Sequence, residues 1–377
     1  MDSAFWHARK ISDKGVIYPA ATARLGFLVD RPEGPGRAVT ARRLGGGCRV
    51  MRRLSPQPTS PVEASATMTT RVFGIPMSLR FRGQTAREGV LLRGPAGWGE
   101  FSPFPEYGPA ECARWLACAR EAAFEGWPDP VRSTIPVNAT IPAVPAARAF
   151  ELAKASGCGT AKIKVAERGQ DFAADLARVE AVRDALGPAG KIRVDANGGW
   201  DVDEAVLRLK ELNRFTLEYA EQPCPSLDEL AQVRRRVDVP IAADESIRKA
   251  EDPLRVRAAE AADIAVVKVQ PLGGVRAALR VVEACGLPAV VSSAVETSVG
   301  LAAGLALAAA LPELPYACGL GTMSLLTGDV VADSLTPVAG AIAVRRPEVD
   351  EAALARFEIE SPKWVRRMEE AAACLAR

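Results

Sequence analysis

The sequence predicts an α/β fold, a parallel (β/α) barrel preceded by a smaller α+β cap. Five strand-like runs end on charged residues, Lys164, Asp195, Glu221, Asp244 and Lys268. Successive members of this series lie 31, 26, 23 and 24 residues apart. That is the length of one strand, one helix and two short loops, the repeating unit of a parallel sheet. The stretch ahead of the series, from Thr70 to Glu125, instead reads as three strands and then a helix, the mark of a separate α+β unit.

The run Lys191–Trp200 sets the register. Lys191-Ile192-Arg193-Val194 alternates branched apolar with polar residues, and Asp195, Asn197 and Gly198-Gly199 stop it. A carboxylate at a strand's end is poor strand material. The plain alternative is a turn or N-cap aspartate, but the same pattern recurs at Thr216–Ala220 before Glu221-Gln222-Pro223 and at Val239–Ala243 before Asp244-Glu245-Ser246. It recurs again at Thr160–Val165 and Ile264–Val269. In a closed eight-stranded barrel, the C-terminal strand ends are where active sites sit.

Taken in order, residues 1–67 are unlike the rest, with Gly-rich and Pro-rich patches and eleven Lys+Arg against five Asp+Glu. We expect a disordered or mis-assigned N-terminal extension, with Met68 or Met51 as the working start. An Arg-rich transit peptide is the alternative. The cap spans 68–133, with strands over Arg71–Leu79, Glu88–Leu92 and Ala96–Glu100 and a helix over Ala110–Glu125. The basic loop Arg80–Arg87 is either a lid that touches an anionic substrate or a solvated hairpin turn. The barrel spans 134–340, beginning near Ile135–Thr140 and ending with strands at Ala289–Ser293 and Tyr316–Gly321. Its helices include Asp171–Leu186, Asp203–Leu212, Ser226–Arg236 and Gly274–Cys285, and Ser226 with Glu229 forms an N-terminal capping signal. Residues 341–377 are expected to return and pack on the cap and barrel.

Composition narrows the chemistry. With 377 residues, 48% of them hydrophobic and 25% charged, the chain has material for a large core and two domains. The Ala/Leu-rich stretch Val299–Leu311 is too short to span a bilayer and reads as a buried helix. The net charge of +2 comes from the N-terminal segment, so it argues for no nucleic-acid partner. Eight scattered cysteines without a C-x-x-C pair suit free thiols in a reducing, cytoplasmic setting. The single histidine, His7, removes Ser-His-Asp and Cys-His triads and His-based zinc from consideration.

What remains is lysine and carboxylate chemistry. Asp195, Glu221 and Asp244 on adjacent strands make a hard oxygen set suited to Mg²⁺ or Mn²⁺. Glu245 competes with Asp244 for the third place, but strand alternation turns one of the two away from the axis. Three such carboxylates repel unless a cation lies among them, which the metal explains. Lys164 and Lys268 flank the set from earlier and later strands, and a lysine so placed can act as a base. Lys162 shares a strand face with Lys164 and is placed to assist it electrostatically. The plain alternative is that the lysines only pair with the acids for stability.

These residues resemble the enolase superfamily, in its muconate-lactonizing subgroup, over about residues 70–360. The resemblance rests on Lys162-Ile163-Lys164, Asp195-Ala196-Asn197, Glu221-Gln222-Pro223, Asp244-Glu245-Ser246 and Lys268-Val269-Gln270-Pro271-Leu272-Gly273-Gly274. It implies a modified TIM barrel with a capping domain, and the lysine-plus-metal chemistry for which this superfamily is known. Within the subgroup the chain is most similar to the o-succinylbenzoate synthase family. Arg193, the run Gly97–Pro103, Ser292-Ser293 and Gly319–Thr322 carry that likeness.

The resemblance implies dehydration of 2-succinyl-6-hydroxy-2,4-cyclohexadiene-1-carboxylate, a small dicarboxylate, to 2-succinylbenzoate in menaquinone synthesis. Lys164 would be the base, Lys268 a cation over the ring, and Asp195, Glu221 and Asp244 the metal ligands. Lys162, Arg193, Asn197 and Glu245 would support them, and Ser293, Gly321 and Arg82 would hold the succinyl arm. The same motifs suit an N-acylamino acid racemase or dipeptide epimerase, and more distantly a non-catalytic metal-binding barrel.

Overall fold

The computed structural model describes residues 69–81, 83–247 and 252–376. The extension expected over 1–67 and the substrate residue expected at Arg82 lie outside the described residues.

The cap is an antiparallel meander of β1 (Thr69–Phe81), β2 (Gln84–Gly94) and β3 (Gly97–Phe101). All three strands exceed or shift their expected limits, because ladder pairing continues past the apolar core of each run: Thr69 pairs with Arg93 and Phe81 with Gln84. Both faces of the sheet are covered. Phe73, Ile75 and Leu91 join the barrel-side core, while Val90, Leu92 and Phe101 pack with Trp115, Leu116 and Trp364.

The expected helix over Ala110–Glu125 divides in two. An α-helix, α1 (Pro109–Arg120), passes into a π-helical turn over Glu121–Glu125. The buried Glu121 that opens this turn accepts from Val275 N at 2.5 Å and Arg276 N at 3.0 Å, so its carboxylate caps a barrel helix.

The barrel begins with β4 (Thr134–Ile141) and continues through α2 (Ala146–Ala155), β5 (Thr160–Lys164), α3 (Phe172–Leu186), β6 (Lys191–Asp195) and α4 (Val202–Leu212). Next come β7 (Leu217–Glu221), α5 (Leu227–Arg234), β8 (Ile241–Ala243), α6 (Asp252–Ala258) and β9 (Ile264–Val267). The short α7 (Val269–Leu272), α8 (Val275–Cys285), β10 (Ala289–Val291), α9 (Ser298–Ala310) and β11 (Cys318–Gly321) complete it. The strands pair in parallel from β4 to β10, and β11 returns beside β4. A parallel bridge between Ser292 and Gly319 joins β10 to β11 and closes the ring.

The capping signals work as read. Asp171 accepts from Ala174 N, Asp201 accepts from Glu204 N, and Ser226 with Glu229 forms a capping box. Helix α9 is buried on nearly every side, as an all-round apolar helix must be. The last two strands are shorter than expected, since Ser292 and Ser293 already belong to the loop that leads to α9.

Alternation along the strands sorts the barrel's contents. Ile135, Val137, Ile163, Val194 and Val267 face the helices, while Tyr219, Ala242, Ile264, Val266 and Val290 fill the barrel interior. Beyond the barrel, β12 (Ala341–Ala343) pairs antiparallel with β4. The chain then passes through α10 (Glu351–Ala355) to α11 (Pro362–Leu375), whose Trp364 and Ala371 enter the cap core.

Candidate active site

The parallel register places the functional residues side by side. Lys164 pairs with Asp195, and Asp195 with Glu221. One layer below, Lys162 pairs with Arg193, and Arg193 with Tyr219. Period two therefore aims Lys162, Lys164, Arg193, Asp195, Tyr219 and Glu221 into the barrel. Asp244 follows β8 and Lys268 follows β9, so the three acids stand between two lysines in strand order.

Lys162 Nζ donates to both oxygens of Glu221, at 2.7 and 2.8 Å, and lies 3.2 Å from Asp195 Oδ2. Lys164 Nζ lies 2.5 Å from the same Asp195 oxygen and also donates to Asn197 Oδ1. Lys268 Nζ donates to Asp244 Oδ2. Three ammonium groups thus balance three carboxylates. As placed, the lysines supply counter-charge to the three acids.

Burial works against the charge on Lys162, but Glu221 and Asp195 outweigh it and hold its proton more firmly than usual. Burial also works against ionised Asp195, and Lys164 and Lys162 overcome it, so this carboxyl lies well below the usual range. Glu221 is pushed up to about 7 by burial and by the neighbouring Asp195 charge, with Lys162 opposing.

Asp244 rather than Glu245 lines the catalytic cavity, as strand alternation requires. Glu245 opens a 3₁₀ turn and accepts from Asn197 Nδ2 at 3.1 Å. The buried Gln222, which sequence reasoning passed over, fixes this end of β8. Its Oε1 accepts from Asp244 N at 3.0 Å, and its Nε2 donates to Cys224 O and Ser246 Oγ. Gln222 adopts φ +41°, strain that buried hydrogen bonds on both ends of the amide hold in place. Its signal in the sequence was a polar residue directly after a strand-end acid.

Arg193 is fully buried beneath the acids. It is paired with Glu218 at 2.6 Å, donates to Asn138 Oδ1 and Ala317 O, and stacks 4.7 Å from the Tyr219 ring.

Of the expected arm-binding residues, Ser293 lines the catalytic cavity, but its hydroxyl donates to Glu296 at 2.5 Å and accepts from Val295 N. Gly321 does not line it. A Cβ there would meet the Asn138 carbonyl oxygen at 2.8 Å, so Gly321 belongs to the barrel wall, and Gly319 and Thr322 take its place at the cavity.

Two further polar groups were missed because their partners on the barrel lie about 200 residues away. Glu100 on β3 accepts from Thr297 N and Gly300 N at 3.1 and 3.0 Å, capping α9. Arg87 on β2 donates to Val295 O at 2.9 Å and to Ser102 O at 2.7 Å, and lies 4.6 Å from the Phe104 ring. With Glu121 at α8, the cap is therefore docked by two buried carboxylates, each at the N-terminus of a barrel helix.

The donor set fits a hard divalent cation, since all the candidate ligands are carboxylates and neither His nor Cys lies among them. As placed, the lysines engage these carboxylates, and among the described residues no three acidic, His or Cys groups converge as metal ligands do.

Comparison with known proteins agrees with this architecture. The model of the enolase C-terminal domain-like family matches residues 145–348, and that of the enolase N-terminal domain-like family matches 72–123. The chain is 68% identical over 306 residues to the o-succinylbenzoate synthase of Thermobifida fusca, covering 81% of this chain and 96% of that one. It is 54% identical over 302 residues to the o-succinylbenzoate synthase of Mycolicibacterium smegmatis, covering 79% and 93%.

Among solved structures, the muconate lactonizing enzyme of Pseudomonas fluorescens superposes with a TM-score of 0.69 at 22% identity, covering 78% of this chain and 98% of that one. The L-Ala-D/L-Glu epimerase of Bacillus subtilis does so with 0.64 at 24%, covering 75% and 96%. These two likenesses speak to the fold. With both domain models matched and the synthases covered nearly end to end, the chain belongs to the enolase superfamily and, within it, to the o-succinylbenzoate synthase family.

Proposed function

We propose that the protein is an o-succinylbenzoate synthase, a lyase that dehydrates 2-succinyl-6-hydroxy-2,4-cyclohexadiene-1-carboxylate to 2-succinylbenzoate for menaquinone synthesis. The observation that carries this reading is the placement of Lys164 and Lys268 on either side of Asp195, Glu221 and Asp244, in a chain 68% identical to such a synthase.

Enzymes of the superfamily depend on a divalent metal, and we assign Mg²⁺, with Mn²⁺ as a substitute, to Asp195, Glu221 and Asp244. When bound, it supplies positive charge to the substrate carboxylate as the adjacent carbon loses its proton. Lys164 takes that proton. The electron pair left behind forms the new ring double bond as the C–OH bond breaks, and Lys164 returns the proton to the departing hydroxide to make water. Lys268 stays an ammonium and stabilises the developing negative charge from the opposite side. Lys162 keeps its proton and holds Glu221 and Asp195 in register. Arg193, Asn197 and Glu245 are positioning residues: Arg193 underpins the site, and Asn197 ties Lys164 to Glu245.

Among the described residues no helix is long and apolar enough to cross a membrane. A cytoplasmic enzyme acting on a small dicarboxylate, without a nucleic-acid or membrane partner, accords with this. The domain limits we assign are 68–133 for the cap, 134–340 for the barrel and 341–377 for the returning segment.

The test is a spectrophotometric assay of purified protein with the cyclohexadiene dicarboxylate and Mg²⁺. Turnover should vanish with EDTA and fall at least ~10³-fold in Lys164→Ala and Lys268→Ala, the order expected when an acid–base group is lost. No turnover by folded, metal-loaded wild type overturns the reading. Lysines facing the site from both sides also suit a racemase of N-acylamino acids, which solvent isotope exchange at the α-carbon would reveal.

A further inference from the structure

The catalytic cavity, between Lys162, Lys164, Lys268 and Ser293, measures about 30 Å³, room for little more than one water. A six-membered ring with a four-carbon arm exceeds this space, so the substrate must extend into a neighbouring cavity. Two adjoin. One, of about 160 Å³, shares Thr140, and its cation Arg148 is already paired with Glu151 at 2.8 Å. The other, of about 800 Å³, shares Lys164 and Asn197 and is lined by Arg80 from β1 and Arg168 from the loop between β5 and α3. Among the described residues neither of these guanidinium groups takes part in an ion pair. Among the described residues Glu167 is the one acid in that lining. The two arginines against this one acid leave the wall a surplus of positive charge.

The loop that presents Arg168 is held more firmly than an exposed turn requires. Arg178, 1% exposed, donates to Lys164 O at 2.9 Å, Val144 O at 2.8 Å and Gln170 Oε1. It is paired with buried Asp175 at 2.7 Å, and Asp175 accepts from Ala166 N at 3.0 Å. Ala166 is thereby fixed at φ +60°, a conformation a non-glycine residue keeps only when its surroundings impose it. Two buried charges therefore set the path of a surface loop. Such preorganisation serves binding, because the ordering cost is met before the ligand arrives.

We propose that Arg168 and Arg80 bind the terminal carboxylate of the substrate's succinyl arm, from the barrel side and the cap side of this cavity. The proposal rests on the synthase reading and gives it a specificity site. Lys164 and Asn197 line both cavities, so a substrate held at Lys164 can extend its arm's anion into the larger one. Planar guanidinium groups suit a carboxylate through paired N–H donors.

The test compares two ligands of the Mg²⁺-loaded full chain by calorimetry. One is 2-succinylbenzoate; the other is 2-butanoylbenzoate, in which a methyl group replaces the terminal carboxylate. Wild type should prefer the succinyl compound by about tenfold or more, the usual worth of a charged hydrogen bond. Arg168→Ala with Arg80→Ala should bring the ratio close to one, and Arg168→Lys alone should leave part of it. The KM for the cyclohexadiene substrate should rise in the double variant with kcat little changed, as loss of remote binding requires. Both residues are exposed, so the variants should keep the wild-type melting temperature. A folded double variant with the wild-type ratio overturns the proposal. The synthase reading fails separately, by absent turnover in wild type, because the ratio is a binding measurement on the product and an analogue of it.

Discussion

Lys162 Nζ spans Glu221, at 2.7 and 2.8 Å from its two oxygens, and Asp195 Oδ2 at 3.2 Å. One buried ammonium thus neutralises acids from two neighbouring strands. Removing it leaves two carboxylates desolvated and adjacent, where breaking a buried pair typically costs about 3–5 kcal/mol. Lys162→Met should lower the stability of the metal-free protein by that order in urea unfolding. Saturating Mg²⁺ should restore much of the loss, since a cation among the acids replaces the missing charge. A variant as stable as wild type without metal would show that the lysine is no counter-charge.

The metal itself should be visible without turnover. Mg²⁺ should raise the melting temperature of the wild type, because a ligand bound only by the folded state stabilises it by mass action. At 100 times Kd the gain is about 2.7 kcal/mol. Glu221→Gln and Asp244→Asn should lose most of this rise, and EDTA should reverse it in wild type. A Mg²⁺-dependent shift that survives in both variants would place the metal elsewhere.

Glu100 gives the cap–barrel junction a pH dependence. Burial pushes its carboxyl up to about 7, against the hydrogen bonds from Ser102 and Thr297. The folded state then binds this proton more tightly than the unfolded chain. The group's contribution is fully present below the unfolded value of ~4.3 and is lost as pH rises through about 7. Wild-type stability relative to Glu100→Gln should therefore be greater at pH 5 than at pH 8, by about 2–3 kcal/mol. Urea unfolding of both proteins at the two pH values measures it, and the difference cancels the other titrating groups. A relative stability that does not change with pH would mean that Glu100 titrates as an ordinary carboxylate.

The strand-end residues were legible because two local periods coincide on them. Alternation along each strand sets which face Lys162, Lys164, Arg193 and Asp195 occupy, and the βα repeat sets the end at which they gather. The capping residues Asp171, Asp201 and Ser226 were legible for the same reason: their partners lie three residues away. Glu100, Glu121 and Arg87 were not, since each meets a helix or loop more than 150 residues distant and nothing near them in sequence marks the contact. Gly321 was read as a contact for the substrate arm, yet it sits where the β4 backbone leaves no room for a side chain.

The Asp175–Arg178 pair did leave a signal. On α3 these residues continue the stripe of Val179 and Val182, so a charged pair stands where the helix faces the core. The pair fixes the loop from Lys164 to Gln170 through four hydrogen bonds, to Lys164 O, Val144 O, Gln170 Oε1 and from Ala166 N. Arg178→Met removes three of these and leaves Asp175 buried and uncompensated, with an expected loss of about 3–5 kcal/mol. Combining it with Asp175→Leu should recover part of that loss, because an apolar pair bears no desolvation penalty. The loop should remain loose in the double variant, since Ala166 N and the Val144 and Lys164 carbonyls stay without their partners. Urea unfolding gives the first effect, and limited proteolysis between Val165 and Gln170 gives the second. Restored stability together with a wild-type cleavage rate would mean that the pair serves the core alone and not the loop that carries Arg168.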